Sequence, residues 1–317
     1  MQAVLFESAG PLEDVLVMKH ADQEVPRPGE VLVRVDARPI QPADFMFVEG
    51  RYRIRPAYPQ IAGLEGAGTV VASGEGVTLT LGTRVAFRHP GTWAEFVAVP
   101  LDRCYVVPAE VSIESAAQFA LNPVTGWALL DELHVQPGDW IAINAATSAV
   151  AQIAQSLAQR RNVGVVGIVR PGSAVEVSFP TVSADTADLA SKVLAITGGT
   201  LLAGYLDSVG GMLIKNILSG LRQGATIVSY GVLEQTPAPM LNSDLIYRNL
   251  SWKGFGIDHW LATAKERHDT MAAELWSAIR DGELPLPVRA RYPLKDFRSA
   301  VIDAAMSGRS GKVLIAD

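Results

Sequence analysis

The chain has 317 residues, which exceeds the usual size of one hydrophobic core and predicts more than one domain. Hydrophobic residues make up 49% and charged residues 19% of the sequence, as in ordinary globular proteins, and no apolar run is long enough to cross a bilayer. A net charge of -6 argues against nucleic-acid binding, which needs clustered Lys and Arg.

The N-terminal residues MQAVLFESAG lack a basic start followed by an apolar stretch and a cleavage site. The sequence therefore predicts no export signal and a cytoplasmic location. Cys104 is the single cysteine, which excludes an internal disulfide and any site built from several thiolates of one chain.

The first hundred residues predict a β-rich domain, because short β-branched runs are separated by turn sequences such as RPGE and SGEG. These runs are EVLVRVDARPI, GAGTVVAS, TRVAF and AEFVAVP. From about Ser112 the pattern becomes helical, with an Asn-Pro pair that should break or bend the helix. We therefore predict a first domain over residues 1–115.

The next part of the chain alternates buried strands with helices, which predicts a parallel sheet covered on both faces. The segments are DWIAINA, SAVAQIAQSLAQRR, VGVVGIV, DLASKVLAI, AGYLDSVGG, MLIKNILSGL and ATIVSYG. We assign residues 116–250 to this second domain. Residues 251–317 contain one further helix and the terminal strand KVLIAD, and we expect them to return to the first domain.

The segment DWIAINAATSAVAQIAQSLAQRRNVGVVGIVR predicts the first half of a dinucleotide-binding unit. A buried strand leads directly into a helix, and a second buried strand follows roughly 20 residues later. The start of the helix offers unpaired backbone N–H groups and the positive end of the helix dipole, which suit a pyrophosphate. The residues at this position are Thr147, Ser148, Ala149 and Val150.

An arginine follows the second strand of this unit. An acidic residue there would accept hydrogen bonds from the ribose of NAD, whereas the forked guanidinium of Arg170 suits a 2′-phosphate and predicts NADPH. Ala145, Ala149 and Ala151 stand where the usual fingerprint has glycine, and PGSAVEVSFPTVSADT opposes a continuous helix after the strand. A solvated strand-end cation and a Rossmann-like unit without nucleotide therefore remain alternatives.

The whole chain resembles a known group, the zinc-independent medium-chain dehydrogenases and reductases. It is most similar there to the trans-2-enoyl thioester (enoyl-CoA/ACP) reductases and the NADPH:quinone oxidoreductases. The resemblance rests on the order and spacing of QPADFMFVEGRYRIRP, YPQIAGLEGAGTVVASGEGV, GTWAEFVAVP, LNPVTGWALL, INAATSAVAQ, LDSVGG, GATIVSYG, SWKGFGIDHW and GKVLIAD. It implies an α/β fold, in which a Rossmann-like doubly wound parallel sheet domain binds NADPH beside a β-rich GroES-like catalytic domain, and it implies a homodimer.

The resemblance also implies site residues. Tyr52 in EGRYRIRP matches the catalytic tyrosine of the enoyl reductases. No zinc is implied, because Leu64 replaces a histidine ligand of the zinc alcohol dehydrogenases and no cysteine lies near Asp44. The matching cofactor-binding residues are Asn122, Thr147, Ser148, Ala149, Val150, Arg170, Tyr230, Gly231, Phe255, Gly256, Ile257 and Lys312.

Three functions remain open from the sequence. The first is NADPH-dependent reduction of a 2-enoyl thioester, with hydride transfer to the β-carbon and Tyr52 as the acid. Arg51, Arg53 and Arg55 could then attract substrate phosphates. The second is quinone reduction with NADPH, which depends less on the tyrosine. The third is a binding protein that keeps the reductase fold without turnover, which the alanines in place of glycine favour.

Overall fold

The computed structural model describes residues 1–306 and 311–317, and this part of the chain divides into two compact units. Unit 1 contains Met1–Leu121 and Leu286–Asp317, and unit 2 contains Asn122–Pro285. The strands are β1 (Gln2–Phe6), β2 (Val17–His20), β3 (Glu30–Pro39), β4 (Gln60–Ile61), β5 (Glu65–Ser73), β6 (Arg84–Arg88), β7 (Phe96–Pro100), β8 (Cys104–Val106), β9 (Trp140–Asn144), β10 (Gly164–Val169), β11 (Thr181–Ser183), β12 (Leu202–Asp207), β13 (Leu221–Ser229), β14 (Ser251–Gly254), β15 (Val288–Tyr292) and β16 (Lys312–Ala316). The helices are α1 (Leu12–Val15), α2 (Pro42–Val48), α3 (Ile113–Ala117), α4 (Asn122–Leu133), α5 (Ala149–Arg160), α6 (Leu189–Ile196), α7 (Leu213–Ile217), α8 (Asn242–Arg248), α9 (Ile257–Thr263), α10 (His268–Arg280) and α11 (Phe297–Ala305). Within the described residues, none of these helices has the length and apolar character that a membrane span requires.

Unit 1 is rich in β-strands, as the first hundred residues predict, and most of its strand pairs are antiparallel. The long strand β3 pairs antiparallel with β5, β7 and β16, and β6 and β8 extend the sheet beyond β5. Alternate side chains of β3 point into one apolar cluster, because successive residues of a strand face opposite sides. This cluster contains Val31, Val33, Val35, Val70, Val85, Phe87, Val97 and Val99.

Unit 2 is built on a parallel sheet with the strand order β11-β10-β9-β12-β13-β14. The chain proceeds outward from β9 to β10 and β11, and then returns to the other side of β9 for β12, β13 and β14. The strand order therefore reverses between β9 and β12. In open parallel sheets, ligands bind beside the carboxyl ends of the strands at such a reversal.

Helices cover both faces of this sheet. In β12, Tyr205 faces the core that α6 and α7 form with residues such as Val193 and Ile214. The neighbouring Gly204 faces the other side, where a Cβ atom would lie 2.8 Å from the Leu133 side chain of α4. The structure thus has the doubly wound arrangement that the alternating pattern predicts.

The structure differs from the predicted domain division at the C-terminal return. The sequence predicts that the chain returns to the first domain at residue 251, whereas in the structure it returns to unit 1 at Leu286. The reason is that β14 pairs with β13 in register, Ile227 beside Trp252, and that the α10 residue Glu274 accepts a hydrogen bond from Trp127 of α4. The first boundary lies at Leu121 and Asn122 rather than at residue 115.

Two local expectations agree with the structure. The helical segment is interrupted between α3 and α4, and the Asn-Pro pair begins α4, where the missing N–H of Pro123 costs no intrahelical hydrogen bond. After β10, residues 170–180 contain no helix, and the chain continues directly to β11.

Candidate active site

The turn between β9 and α5 leaves backbone donors available. The Ser148 hydroxyl caps the helix by accepting the N–H of Ala151 at 3.2 Å, and Gln152 Nε2 donates to the Thr147 carbonyl at 3.0 Å. The N–H groups of Ala149 and Val150 precede any intrahelical carbonyl, and no hydrogen bond found in the described residues uses them. A pair of free N–H groups at a helix start is suited to binding an anion.

Backbone strain marks the first of the alanines in this turn. Ala145 has a φ of 46°, in the left-handed region that glycine adopts without penalty and alanine does not. Ala149 belongs to α5, where alanine is the most favourable residue. The replacement of glycine therefore has a structural cost at Ala145 and none at Ala149.

Arg170 lies at the same edge of the sheet as this turn. It directly follows β10, whose Ile168 is the register partner of Asn144 at the end of β9, and Ala146 N donates to the Ile168 carbonyl at 3.2 Å. The Arg170 side chain is exposed and forms no ion pair with any described residue. The structure therefore brings together Arg170 and the N-terminus of α5, as predicted.

A buried polar network that the sequence analysis missed joins the ends of β9 and β12. Asn144 Nδ2 donates to the Tyr205 hydroxyl at 2.7 Å and to Asp207 Oδ1, and Asn144 Oδ1 accepts the N–H of Ser208 at 2.7 Å. Asp207 Oδ1 also accepts the N–H groups of Val209 and Gly210, at 3.1 and 2.9 Å. The motif LDSVGG could have indicated this network, because its Asp ends a buried strand and is followed by a Ser and two glycines.

Tyr230 and Gly231 lie at the end of β13, beside this network. Tyr230 N donates to the Asp207 carbonyl at 2.8 Å, and a Cβ atom on Gly231 would lie 2.5 Å from the Ser208 carbonyl oxygen. Burial raises the pKa of Tyr230 to about 12, offset in part by the hydroxyls of Ser208 and Ser148. The buried Tyr230 hydroxyl stays protonated at neutral pH, and it has no hydrogen-bond partner among the described residues.

The aromatic-led segment follows β14 at the same edge. Phe255 N donates to the Ser229 carbonyl at 2.8 Å, Gly256 precedes α9, and Ile257 is buried as the first residue of that helix. A cavity of about 470 Å³ lies at the ends of β12, β13 and β14. Its lining includes Asp207, Gly210, Ser229, Gly231, Glu234 and Trp252. Asn122 lies apart from these strand ends in the sequence, as the first residue of α4.

In unit 1, the C-terminal end of α2 fixes Tyr52. The N–H groups of Arg51 and Tyr52 both donate to the Met46 carbonyl, at 2.8 and 2.9 Å, and the half-buried Tyr52 ring packs against the apolar core around α2. The Tyr52 hydroxyl accepts a hydrogen bond from Arg88 Nη2 at 3.1 Å. The ring also lies 5.6 Å from the guanidinium of Arg53.

The basic residues around Tyr52 are partly engaged inside their own loop. Arg51 forms an ion pair with Glu49, and Arg55 donates to the Gly50 carbonyl at 2.7 Å. The ion pair with Glu49 offsets the positive charge of Arg51, and the hydrogen bond of Arg55 occupies one of its N–H donors.

Two carboxyl groups are buried together in unit 1 beside Lys312. Lys312 Nζ donates to Gln41 Oε1, and Gln41 Nε2 donates to Glu65 Oε2 at 2.7 Å, while Gln41 N donates to Asp44 Oδ2 at 2.6 Å. Burial raises the pKa of Asp44 and that of Glu65 to about 7 each, and the charge of Lys312 opposes both shifts. The structure therefore places the Lys312 ammonium at this buried pair.

The remaining candidate ligands form no cluster. Among the described residues, no group of three or more His, Cys, Asp or Glu side chains could hold a metal ion. Burial raises the pKa of Cys104 to about 12, so its thiol stays protonated. The absence of zinc stays a prediction of the sequence.

Comparisons with known proteins agree with this arrangement. Residues 27–109 match the alcohol dehydrogenase GroES-like domain. The chain is similar to the mitochondrial enoyl-[acyl-carrier-protein] reductase of Arabidopsis thaliana, with 28% identity over 330 residues that cover 99% of this chain and 88% of the relative. The human protein of the same name is 28% identical, with 96% of this chain and 86% of the relative covered.

Solved structures show the same similarity along the full length. A mycobacterial quinone oxidoreductase superposes with a TM-score of 0.90 and 26% identity, covering 100% of both chains. A mycobacterial protein in complex with NADPH superposes with a TM-score of 0.83 and 26% identity, again covering 100% of both chains. The predicted fold class, a Rossmann-like parallel sheet domain plus a GroES-like domain, is confirmed, as is the predicted resemblance.

Proposed function

The chain resembles the enoyl reductases and quinone oxidoreductases of the medium-chain dehydrogenase/reductase superfamily along nearly its whole length, and on this premise we propose that it reduces an activated carbon–carbon double bond with NADPH. The substrate that we propose is a 2-enoyl thioester. The observation that carries the proposal is that Arg170 and the N-terminus of α5 lie at the same edge of the parallel sheet.

The residues at this edge fit NADPH. The N–H groups of Ala149 and Val150 match the acceptors of a pyrophosphate, and the exposed Arg170 guanidinium can form paired hydrogen bonds with a 2′-phosphate. The buried Tyr230 hydroxyl is a donor without a satisfied partner, as expected of a group that awaits a polar ligand. We propose that Gly231, Asn122 and the residues Phe255 to Ile257 also contact the bound cofactor.

Bound NADPH supplies the hydride that reaches the β-carbon of the double bond. As this happens, negative charge develops on the thioester oxygen, and the α-carbon then takes up a proton. One NADPH, one proton and one enoyl thioester thus give NADP⁺ and one saturated thioester. Tyr52 donates a hydrogen bond to the developing oxyanion or passes its proton on, and it regains a proton from solvent.

Phenylalanine at position 52 tests this assignment. Tyr52→Phe should lower kcat for crotonyl-CoA by at least about tenfold while the KM for NADPH stays the same, because only the hydroxyl is lost. Tyr58→Phe is the matched control, since Tyr58 is an exposed tyrosine of the same loop. An unchanged kcat in Tyr52→Phe would remove the tyrosine from the mechanism.

Quinone reduction is the second candidate, which the similarity to a mycobacterial quinone oxidoreductase favours. A quinone needs little from the protein beyond a surface that holds it against the reduced cofactor. The variant Tyr52→Phe should therefore keep most of its activity with 1,4-benzoquinone. Wild-type protein that oxidises NADPH with benzoquinone and not with crotonyl-CoA would make this the better assignment.

We further propose a homodimer formed through unit 2. β14 ends the sheet order, so its outer edge has no neighbouring strand in the described residues. The chain before β14 also exposes large apolar side chains: Val232, Leu233, Leu241, Ile246 and Tyr247. Light scattering should give twice the chain mass of 33.8 kDa, and a monomer mass would contradict the dimer.

The cytoplasmic location also remains a proposal, since the enoyl reductase relatives are mitochondrial by name. Cell fractionation would test it.

A further inference from the structure

We propose that Arg88 is a positioning residue, which holds the Tyr52 hydroxyl so that the phenolic proton points to the substrate. The inference rests on the proposed function, because it assigns Tyr52 the role of the acid. It concerns a residue outside every motif that the sequence analysis singled out.

The contact itself is direct. Arg88 is the last residue of β6, and its Nη2 donates to the Tyr52 hydroxyl oxygen at 3.1 Å. The two residues are 36 positions apart in the chain, so the contact depends on the tertiary structure. Arg88 is 9% exposed, whereas Tyr52 is half-buried and keeps a solvent-accessible side.

The chemistry of the pair decides the direction of the hydrogen bond. A guanidinium has N–H donors and no acceptor, whereas a phenol can both donate and accept. The Tyr52 oxygen must therefore accept from Arg88, and its own proton cannot be used in that contact. The proton remains available to an acceptor on another molecule, such as a thioester oxygen.

The positive charge of Arg88 also favours the transfer. When the phenolic proton leaves or is shared, negative charge builds on the Tyr52 oxygen, and a cation at 3.1 Å stabilises that charge. A neutral donor at the same place would orient the hydroxyl without this electrostatic contribution.

Arg88 also lies near a buried acidic side chain of the neighbouring strand. Arg88 is the register partner of Glu65 across β6 and β5, and the charge of Arg88 favours the ionised form of Glu65. The Glu65 carboxylate is fixed by Gln41 Nε2 at 2.7 Å and by Leu121 N at 2.7 Å. The charge of Arg88 is therefore close enough to a fixed carboxyl group for the two to interact electrostatically.

A purely structural role for Arg88, as the counter-charge of Glu65, makes a different prediction. In that case, replacing Arg88 would lower activity by the same factor whether or not position 52 carries a hydroxyl. A double-mutant cycle separates the two roles, because it measures whether one residue acts through the other.

The experiment measures kcat with crotonyl-CoA in wild type, Arg88→Gln, Tyr52→Phe and the double variant. We expect Arg88→Gln to lower kcat by about five- to tenfold, with little further loss when it is added to Tyr52→Phe. The KM for NADPH and the activity with 1,4-benzoquinone should change little. Arg84→Gln is the matched control, because Arg84 lies on the same strand and donates to the carbonyls of Pro108 and Val111 instead.

Arg88→Lys provides a second cycle should the glutamine variant fold poorly, since lysine keeps a positive charge opposite Glu65. Arg88→Lys should lower kcat by a smaller factor than Arg88→Gln, and this loss should also vanish in the Tyr52→Phe background. Equal losses in both backgrounds would overturn the positioning role and leave the proposed function intact. A Tyr52→Phe variant with full activity would instead remove the tyrosine as acid, and the inference with it.

Discussion

Unit 1 and unit 2 stabilise their buried polar groups in different ways. Unit 1 buries charges of both signs, with Asp44 and Glu65 near Lys312 and Arg88. Unit 2 surrounds one carboxylate, Asp207, with neutral donors from side chains and backbone. The first arrangement depends on protonation, because burial opposes ionisation of its carboxyls. In the second arrangement, the hydrogen bonds to Asp207 come from an amide side chain and from backbone N–H groups.

The largest expected effect is a change of the free energy of unfolding with pH, caused by the buried carboxyls of unit 1. Their pKa values lie at about 7, against ordinary values of 3.8 for Asp44 and 4.5 for Glu65. Below about pH 3 both carboxyls are protonated in the folded and the unfolded chain, so their contribution to stability is fully present. Between about pH 4 and 7 the unfolded chain releases these protons first, and the free energy of unfolding should fall, on the order of a few kcal/mol.

Asp44→Asn should remove about half of this decrease in the free energy of unfolding, because the amide keeps an acceptor for Gln41 N and cannot ionise. The measurement is urea unfolding at several pH values from 4 to 8. Asp102→Asn is the control, since Asp102 is exposed. Identical pH profiles for wild type and Asp44→Asn would show that this carboxyl is not perturbed by burial.

A smaller effect is expected from replacing Arg170, the exposed arginine that follows β10 in unit 2. Arg170→Ala should raise the KM for NADPH by about tenfold, or about 1.4 kcal/mol, because a charged hydrogen-bonding partner of the 2′-phosphate is lost. The KM for NADH, which lacks that phosphate, should stay the same. Arg280→Ala, at an exposed arginine that ends α10, should change neither value. Equal increases for both cofactors would contradict the 2′-phosphate contact.

The smallest effect concerns the strained turn. Ala145→Gly should raise the free energy of unfolding by about 0.5–1 kcal/mol, because glycine adopts a φ of 46° without the penalty of a Cβ atom. Ala149→Gly, four residues later in α5, should lower it by up to about 1 kcal/mol. Thermal and urea unfolding would show the opposite signs, and two changes of the same sign would remove strain as the cause.

The sequence predicted the elements that depend on local pattern. The strand β9 and the helix α5 follow from an apolar run and helical spacing within about 20 residues. The edge at which Arg170 meets that helix could be predicted as well, because parallel strands end on one side of a sheet.

Contacts between distant residues could not be predicted in the same way. Arg88 and Glu65 become partners through strand register, and a slip of one residue would place the guanidinium on the other face of the sheet. The return of the chain at Leu286 was also missed, because β14 is only four residues long and its side chains are half-buried or exposed. Short edge strands of this kind carry little periodic signal.

The protonated state of Cys104 has a practical consequence for spectroscopy. Maleimide and haloacetamide reagents attack the thiolate, and a thiol with a pKa of about 12 provides almost none at neutral pH. Because the chain has no other cysteine, two cysteines introduced at exposed positions would take up fluorophores selectively, without removal of the native residue. The protein is thereby ready for distance measurements between chosen points, with its natural packing around β8 left untouched.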